Sequence, residues 1–312
     1  MKVLVAGGTG FLGTHLCREL DDWGHDVTAL SRSPESTEGP LGLPPSVDCV
    51  GGDVTEFESV AGSVDGHDAV VNLVALPPMT QPPRGTDHES VHLGGTETLV
   101  RAAEAGGVDR FVQLSALGAD PNGPTAYIRA KGRAETVVED SNLSWVIVRP
   151  SVVFGDGAGF LSFTEMVTTP YVTGLPGGGH TRFQPIWVAD FTSILAECVV
   201  DDERAGVTYE LGGPQVLTLA DVTRAMYAAR GQSVRIVPIP MALVRFGLWL
   251  AGPLPFVPFG PDQARSLEFD NTIDDGDFPA FGLEPDDLTT LESFLGSDRS
   301  SPADDADRVT AD

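Results

Sequence analysis

The chain has 312 residues, of which 45 are acidic and 19 basic, and a formal net charge of -26 at pH 7. Because nucleic acids and anionic membranes attract positive surfaces, this charge excludes a nonspecific binder of either. Lys2 and Lys131 are the only lysines, and an acidic, lysine-poor composition is typical of halophilic proteins in a high-salt cytoplasm, with an ordinary acidic protein as the alternative.

Strand-like and helix-like stretches alternate along the first two thirds of the chain. The pattern predicts strands at 2–6, 26–31, 47–51, 69–74, 110–115 and 145–149, and helices at 11–22, 90–105, 127–139 and 189–200. The strands are apolar without polar alternation, which indicates a parallel sheet covered on both faces. The predicted fold class is therefore α/β, a Rossmann-type doubly wound parallel sheet with a small C-terminal α/β capping lobe.

A glycine-rich turn joins the first strand to the first helix. A dinucleotide pyrophosphate requires a tight turn, a closely approaching backbone and free N–H groups at a helix N-terminus. GxxGxxG within a βαβ unit supplies all three. The predicted pyrophosphate-binding residues are Gly7, Gly8, Thr9, Gly10, Phe11, Leu12 and Gly13.

The end of the second strand indicates which dinucleotide is bound. An acidic residue there would bind the adenosine ribose and exclude a 2′-phosphate, but the chain has Ser31 and Arg32 instead. A guanidinium beside hydroxyl groups favours a phosphate, so the sequence predicts NADP(H) over NAD(H), unless Arg32 is a solvated loop residue. Asp53 and Val54 follow the third strand and are expected to flank the adenine.

The remaining chain predicts the domain organisation. We expect a dinucleotide-binding Rossmann core at 1–150, a substrate-capping lobe interleaved with the core at 151–295, and a disordered acidic tail at 296–312. The short apolar N-terminal run does not fit a signal peptide. Cys17, Cys49 and Cys198 are dispersed, which predicts neither disulfides nor a zinc site. A cytoplasmic protein without a metal is expected.

Residues 236–260 are apolar but interrupted by five prolines. Residues 241–251 leave room for one short helix, which contains Arg245 and is far below the roughly 20 residues of a membrane span. The segment is predicted either to pack as a lid or to contact a membrane complex or a quinone pathway at the inner face of the cell membrane.

Tyr127, Lys131 and Ser115 are the predicted catalytic residues. Tyr127 and Lys131 are four residues apart on a predicted helix, so their side chains share one face. An ammonium beside a phenol lowers the pKa of the phenol, which then exchanges a proton with a carbonyl or alcohol oxygen. Ser115 ends a strand and is expected to donate a hydrogen bond to the same oxygen. The alternative is a surface tyrosine beside a solvated lysine.

These motifs resemble the short-chain dehydrogenase/reductase superfamily, over nearly the whole chain. Within it, the segments 149–155 and 183–190 are similar to the extended and atypical branch, the NAD-dependent epimerase/dehydratase family. Residues 255–271 are similar to the nucleotide-binding accessory subunit of respiratory complex I. The resemblance implies that Lys131 also holds the nicotinamide ribose, and it adds the cofactor contacts Leu73, Val74, Ala75, Pro150 and Val152.

The chain departs from the family pattern at two positions. Leu117 stands near where sugar-nucleotide epimerases often present a second hydroxyl, which disfavours a sugar-nucleotide substrate. His92 stands where the epimerases carry an asparagine, which places a proton relay through that position in doubt, and it is otherwise an ordinary polar helix residue. Around the expected pocket the sequence supplies an apolar set, which favours a small apolar substrate: Pro77, Pro78, Met79, Phe154, Phe160, Phe183 and Trp187.

Three functions are consistent with these features. The first is an NAD(P)-dependent oxidoreductase that transfers hydride to or from an apolar carbonyl or alcohol. The second is a nucleotide-binding accessory protein, related to the complex I subunit or to a quinone pathway. The third is a sugar-nucleotide epimerase or dehydratase, which the departures disfavour.

Overall fold

The computed structural model describes residues 1–35, 41–78, 82–83, 85–244, 261–274 and 276–297. Its strands are β1 (Lys2–Ala6), β2 (Asp26–Ser31), β3 (Asp48–Gly51), β4 (Ala69–Asn72), β5 (Arg110–Leu114), β6 (Ser144–Pro150), β7 (Val153–Phe154), β8 (Tyr171–Pro176), β9 (Arg182–Phe183), β10 (Ile186–Trp187), β11 (Val207–Leu211), β12 (Leu217–Thr218) and β13 (Val234–Ile239). Its α-helices are α1 (Phe11–Asp22), α2 (Phe57–Val64), α3 (Gly95–Gly106), α4 (Ala126–Glu139), α5 (Gly159–Val167), α6 (Val188–Val200), α7 (Leu219–Ala229), α8 (Pro261–Ser266) and α9 (Leu291–Ser297).

Seven strands form one sheet, in the order β11-β6-β5-β4-β1-β2-β3, and every pairing in it is parallel. The chain winds outward from β1 to β3, returns to β4 on the other side of β1, and continues outward. This is the predicted doubly wound Rossmann-type fold, which is confirmed. The order reverses between β1 and β4, and ligands of such sheets bind beyond the carboxyl ends of the strands at that reversal.

The sheet is covered on both faces, as its unbroken apolar strands predict. In β1, Val3 and Val5 face a core shared with α1 and α6, whereas Leu4 and Ala6 face a core shared with α2 and α3. All four side chains are fully buried. Because one strand contributes to both cores, a polar substitution on either face would leave a buried group without a partner.

Several elements differ from the sequence-based expectation. Helix α2 and strand β11 were not predicted, although β11 extends the sheet beside β6. The helix expected at 90–105 divides into a π-helical turn, Glu89–Gly94, and α3. Gly94 and Gly95 meet at this junction, and a glycine pair weakens the preference for regular α-helical geometry.

The residues after Pro150 build a separate apolar cluster. Phe154, Leu175, Leu219 and Met226 are among its buried members, all of which come from the C-terminal half. That half also returns to the main sheet through β11, so the boundary at residue 150 stays a prediction. Within the described ranges no helix is long and apolar enough to cross a bilayer.

Three expectations fall wholly or partly on residues that the structure does not describe. Residues 245–260, which hold most of the apolar segment, and 298–312, which hold most of the predicted tail, lie outside the described residues, as does Met79.

Candidate active site at the carboxyl edge of the sheet

The glycine turn between β1 and α1 is shaped by contacts that exclude side chains. Gly7 has a φ of +82°, and a Cβ there would lie 3.3 Å from the backbone of Leu73. A Cβ on Gly13 would lie 2.1 Å from the carbonyl oxygen of Gly7, so the helix and the turn touch backbone to backbone. No described side chain caps α1, whose first residue follows Gly10. Its first N–H groups are therefore available to an external anion.

A hydroxyl network joins this turn to the end of β2. Thr9 Oγ1 donates to Ser31 Oγ at 2.8 Å, and the backbone N–H of Ser33 donates to the same oxygen at 3.2 Å. Both lone pairs of the Ser31 hydroxyl are thus occupied, and its proton is left to donate outward. Arg32, the next residue, is exposed and forms no ion pair with the described part of the chain.

The other predicted cofactor contacts follow neighbouring strands at the same edge. Asp53 Oδ1 accepts hydrogen bonds from the N–H and the hydroxyl of Thr55, at 2.9 and 2.8 Å. Val54 is buried, and a Cβ on Gly95 would lie 2.9 Å from it. The side chains of Val54 and Leu73 therefore belong to the core, and only their backbone can face a ligand.

The residues at and after the ends of β4 and β6 differ in how far they are exposed to solvent. Val74 is half-buried and its N–H donates to Asn72 Oδ1, while Ala75 is exposed. Pro150 is buried and accepts from the N–H of Leu117, and Val152 is half-buried. These positions lie at the carboxyl ends of parallel strands, which brings them to the same side of the sheet as the glycine turn.

Tyr127 and Lys131 lie one turn apart on α4, and Ser115 follows the last residue of β5, whose carbonyl Lys131 binds. Thr125 caps α4 by accepting a hydrogen bond from the N–H of Ile128, which fixes the helix start just before Tyr127. Lys131 is fully buried, and its Nζ donates to the carbonyl oxygen of Leu114 at 2.7 Å. Ser115, which follows Leu114, is buried, and its Oγ has no hydrogen-bond partner among the described residues.

The pKa of Tyr127 corrects the predicted electrostatics. Burial raises the pKa of its hydroxyl, whereas the sequence predicted that the lysine would lower it. Burial also lowers the pKa of Lys131 to about 8, against a smaller opposing effect of Glu135. The ammonium is hydrogen-bonded to the Leu114 carbonyl, and burial dominates the pKa of the Tyr127 hydroxyl, so Tyr127 stays protonated at neutral pH.

Two histidines contact Tyr127, and sequence reasoning missed one of them. The rings of His88 and His92 are stacked with centroids 5.5 Å apart, and both stand edge-on to Tyr127, at 5.5 and 5.3 Å. His92 was noted only as a departure from the family pattern, and His88 was not singled out. Their spacing of four residues before the Gly94-Gly95 pair was the available signal.

The apolar set expected around the pocket is mostly core. Phe154, Phe160 and Phe183 are buried in the C-terminal apolar cluster, with Trp187 packed against it. That prediction of pocket-lining residues is therefore wrong for the three phenylalanines, because their side chains are taken up by packing. Pro77 is exposed and Pro78 is half-buried.

The residues present fit a dinucleotide. The turn accepts no side chain at Gly7 or Gly13, no described side chain caps the α1 N-terminus, and Ser31 offers a hydroxyl proton. Ser115 Oγ, which is buried and has no partner among the described residues, lies at the same edge of the sheet. A search of the described residues finds no cluster of three histidine, cysteine or acidic side chains suited to a metal.

Comparisons with known proteins agree with this geometry. The family model described as NAD(P)H-binding matches residues 7–168. The NADH dehydrogenase [ubiquinone] 1 alpha subcomplex subunit 9 of Arabidopsis thaliana is 31% identical over 289 residues, which is 87% of this chain and 70% of the relative. A 3 beta-hydroxysteroid dehydrogenase/Delta 5→4-isomerase of Mycobacterium tuberculosis is 28% identical over 262 residues, with 74% and 70% covered.

A solved structure supports the fold. The UDP-glucose 4-epimerase of Thermus thermophilus, in complex with NAD, superposes with a TM-score of 0.69 over 95% of this chain and 97% of that one. The two chains are 19% identical, so the likeness concerns the architecture. It extends past the sheet into the C-terminal half.

Proposed function

Because the chain belongs to the NAD(P)H-binding family, we propose that it is an oxidoreductase of the short-chain dehydrogenase type that reduces a small, apolar carbonyl compound with NADP(H). The observation that carries the proposal is the bond from Lys131, on the same helix as Tyr127, to the carbonyl just before Ser115, whose hydroxyl has no partner among the described residues. The family's nicotinamide cofactor, when bound, supplies the hydride.

The chain's own residues manage the substrate oxygen and its proton. The Ser115 hydroxyl is free to donate a hydrogen bond to that oxygen, which orients the carbonyl. The Tyr127 hydroxyl then donates its proton as negative charge develops there. Lys131, held by the Leu114 carbonyl, places a positive charge beneath the site and stabilises that negative charge.

The protonation of Tyr127 favours the direction of reduction. Its raised pKa leaves the hydroxyl protonated at neutral pH, which suits a proton donor. Oxidation of an alcohol would first require Tyr127 to lose this proton in a buried site, where desolvation opposes the phenolate.

The end of β2 supports NADP(H) over NAD(H). Ser31 can only donate, because Thr9 and Ser33 occupy its acceptor positions. Arg32 adds a guanidinium that no described carboxylate pairs with, and Asp53 is engaged by Thr55. A site made of donors favours a 2′-phosphate and offers a ribose hydroxyl no acceptor.

Substitution of Tyr127 tests the proposal. Purified protein with NADPH and a panel of apolar ketones, aldehydes and quinones is expected to oxidise NADPH, followed by absorbance. Tyr127→Phe keeps the ring contacts with His88 and His92 and removes the proton, so we expect turnover to fall by at least about 100-fold. Tyr171→Phe, which changes an exposed tyrosine, is the matched control. Turnover that survives Tyr127→Phe would overturn the proposal.

A second function is favoured by one relative. The similarity to subunit 9 of the NADH dehydrogenase alpha subcomplex supports a nucleotide-binding accessory protein of a membrane complex. This function predicts that dinucleotide co-purifies and exchanges slowly, and that the protein sediments with the membrane fraction of its source cells. A freely exchanging cofactor and a protein found in the supernatant would contradict it.

A further inference from the structure

The candidate active site contains buried polar atoms that form no hydrogen bond with any described group. His88, His92 and Ser115 are each at least nine-tenths buried, and His88 Nδ1, His92 Nδ1 and Ser115 Oγ have no hydrogen-bond partner among the described residues. Native proteins leave few buried polar atoms unpaired. Two of them are on rings that contact Tyr127, and the third follows Leu114, whose carbonyl accepts from Lys131, so together they indicate a place for a ligand.

The tautomer of His92 follows from its one hydrogen bond. The backbone N–H of Leu76 lies 3.3 Å from His92 Nε2, so Nε2 must accept. A neutral imidazole carries its single proton on the other nitrogen, so Nδ1 is the donor. Nδ1 points away from Leu76, and its proton has no acceptor in the described chain.

His92 also stays neutral. Burial and the nearby charges of Lys131 and His88 lower the pKa of His92 to about 2. Burial and Lys131 also lower the pKa of His88, whereas the carboxylates of Asp262 and Asp87 act to raise it. An imidazole that does not ionise near neutral pH is a fixed donor and not an acid, which suits an acceptor oxygen that must be oriented without being protonated prematurely.

The π-helical turn gives this arrangement an independent structural mark. It spans Glu89–Gly94 and contains His92, whose carbonyl oxygen accepts from the Thr96 hydroxyl at 2.7 Å. Turns of this kind are rare and occur frequently at functional sites. Here the turn interrupts what would be one regular helix and sets His92 edge-on to Tyr127.

We propose that the Nδ1–H of His92 donates a hydrogen bond to an uncharged carbonyl-type oxygen of the substrate, beside the hydroxyl groups of Tyr127 and Ser115. The inference rests on the proposed function, because it defines the substrate class of that site. A carboxylate ligand is disfavoured because it would lose its hydration beside the buried histidines and be repelled by the carboxylates of Asp87 and Asp262, which oppose the attraction of the Lys131 ammonium. An aldehyde, a ketone and a quinone share the required oxygen.

Two amide variants of His92 distinguish the role of its donor nitrogen, Nδ1, from that of its acceptor nitrogen, Nε2. His92→Asn places an amide N–H near the position of Nδ1, whereas His92→Gln places its amide near Nε2. In the NADP⁺-loaded protein, where no reduction occurs, 2-naphthaldehyde and 2-methyl-1,4-naphthoquinone are titrated at equilibrium, with 2-naphthoate as the charged match. We expect His92→Gln to weaken binding of at least one neutral probe about 10-fold, and His92→Asn by less than about 3-fold.

The control is His67→Gln, since His67 has partners at both ring nitrogens, Val64 O and the Thr28 hydroxyl. Nitrogen-15 NMR of the wild-type ring is expected to report an Nδ1-protonated neutral tautomer from about pH 5 to about pH 9, and requires no variant. An Nε2-protonated ring, equal losses in both amide variants, tighter binding of naphthoate, or no binding of either neutral probe would overturn the inference.

The two proposals fail separately. If probe binding depends on His92 but no NADPH is oxidised, the hydrogen-bond donor role of His92 is supported and the oxidoreductase function is refuted. If turnover requires Tyr127 but His92→Gln changes neither kcat nor KM, the oxidoreductase function is supported and the donor role of His92 is refuted.

Discussion

Lys131 is predicted to make stability rise with pH, because its ammonium is buried at a cost. Its pKa is about 8 in the folded protein and 10.5 in the reference state. Between these values the unfolded chain binds a proton that the folded chain has released, so the free energy of unfolding increases with pH. At about 1.36 kcal/mol per pH unit, the 2.5-unit difference gives about 3 kcal/mol across this window.

Other groups act in the opposite direction, so a difference measurement is required. Burial raises the pKa of Cys17 and Cys198 to about 12, and these thiols ionise earlier in the unfolded chain, which lowers stability above about pH 9. Because both proteins contain these thiols, their contribution cancels in the difference between the unfolding free energies of wild type and Lys131→Met.

Urea unfolding from about pH 7 to about pH 10 is therefore measured for wild type, Lys131→Met and Lys2→Met. Lys131→Met is expected to gain stability relative to wild type near neutral pH, and the advantage should shrink by about 3 kcal/mol toward pH 10. Lys2→Met deletes an exposed lysine and serves as the control. A constant difference for Lys131→Met, parallel to that of Lys2→Met, would refute the assignment of a buried, proton-releasing lysine.

Two further predictions concern the cofactor region. Gly13→Ala places a Cβ 2.1 Å from Gly7 O, so we expect at least about 1 to 3 kcal/mol of destabilisation by urea unfolding and loss of dinucleotide binding. Gly62→Ala, in α2 with no atom within 4 Å, should instead stabilise by about 0.5 to 1 kcal/mol, and a neutral Gly13→Ala would contradict the turn geometry. Arg32→Ala should weaken binding of 2′,5′-ADP about 10-fold or more by calorimetry, and Thr9→Val about 3-fold, while 5′-ADP binds as before. The control is Thr169→Val, whose hydroxyl contacts Val172 O, and equal losses for both nucleotides would contradict a 2′-phosphate site.

The sheet was accessible from sequence because its strands are buried on both faces. The strands predicted at 2–6 and 26–31 correspond residue for residue to β1 and β2. Strand β11 was missed because Val207–Leu211 alternates partly exposed and buried positions at the edge of the sheet, where the apolar run is broken by Glu210. Its place beside β6 depends on pairing across 61 residues of chain, which local patterns do not encode.

The candidate site divides in the same way. The glycine turn is a local motif, so its residues and its backbone contacts followed from spacing. The electrostatics of Tyr127 did not, because the direction of its pKa depends on burial and on where the Lys131 ammonium points, and both are properties of the packed structure. The same holds for His88 and His92, whose contact with Tyr127 requires a π-helical turn that no residue pattern specifies uniquely.

The charge of the Lys131 ammonium bears on the two proposed functions. A lysine that donates to the Leu114 carbonyl and has a pKa of about 8 is charged at pH 7 and loses its charge as the pH rises through about 8. If it loses that charge, Tyr127 retains a raised pKa, and the site is a neutral surface of hydroxyl and imidazole donors. Such a surface binds a carbonyl oxygen well but protonates it slowly. Rapid turnover therefore requires the charged form of Lys131, and an accessory protein does not.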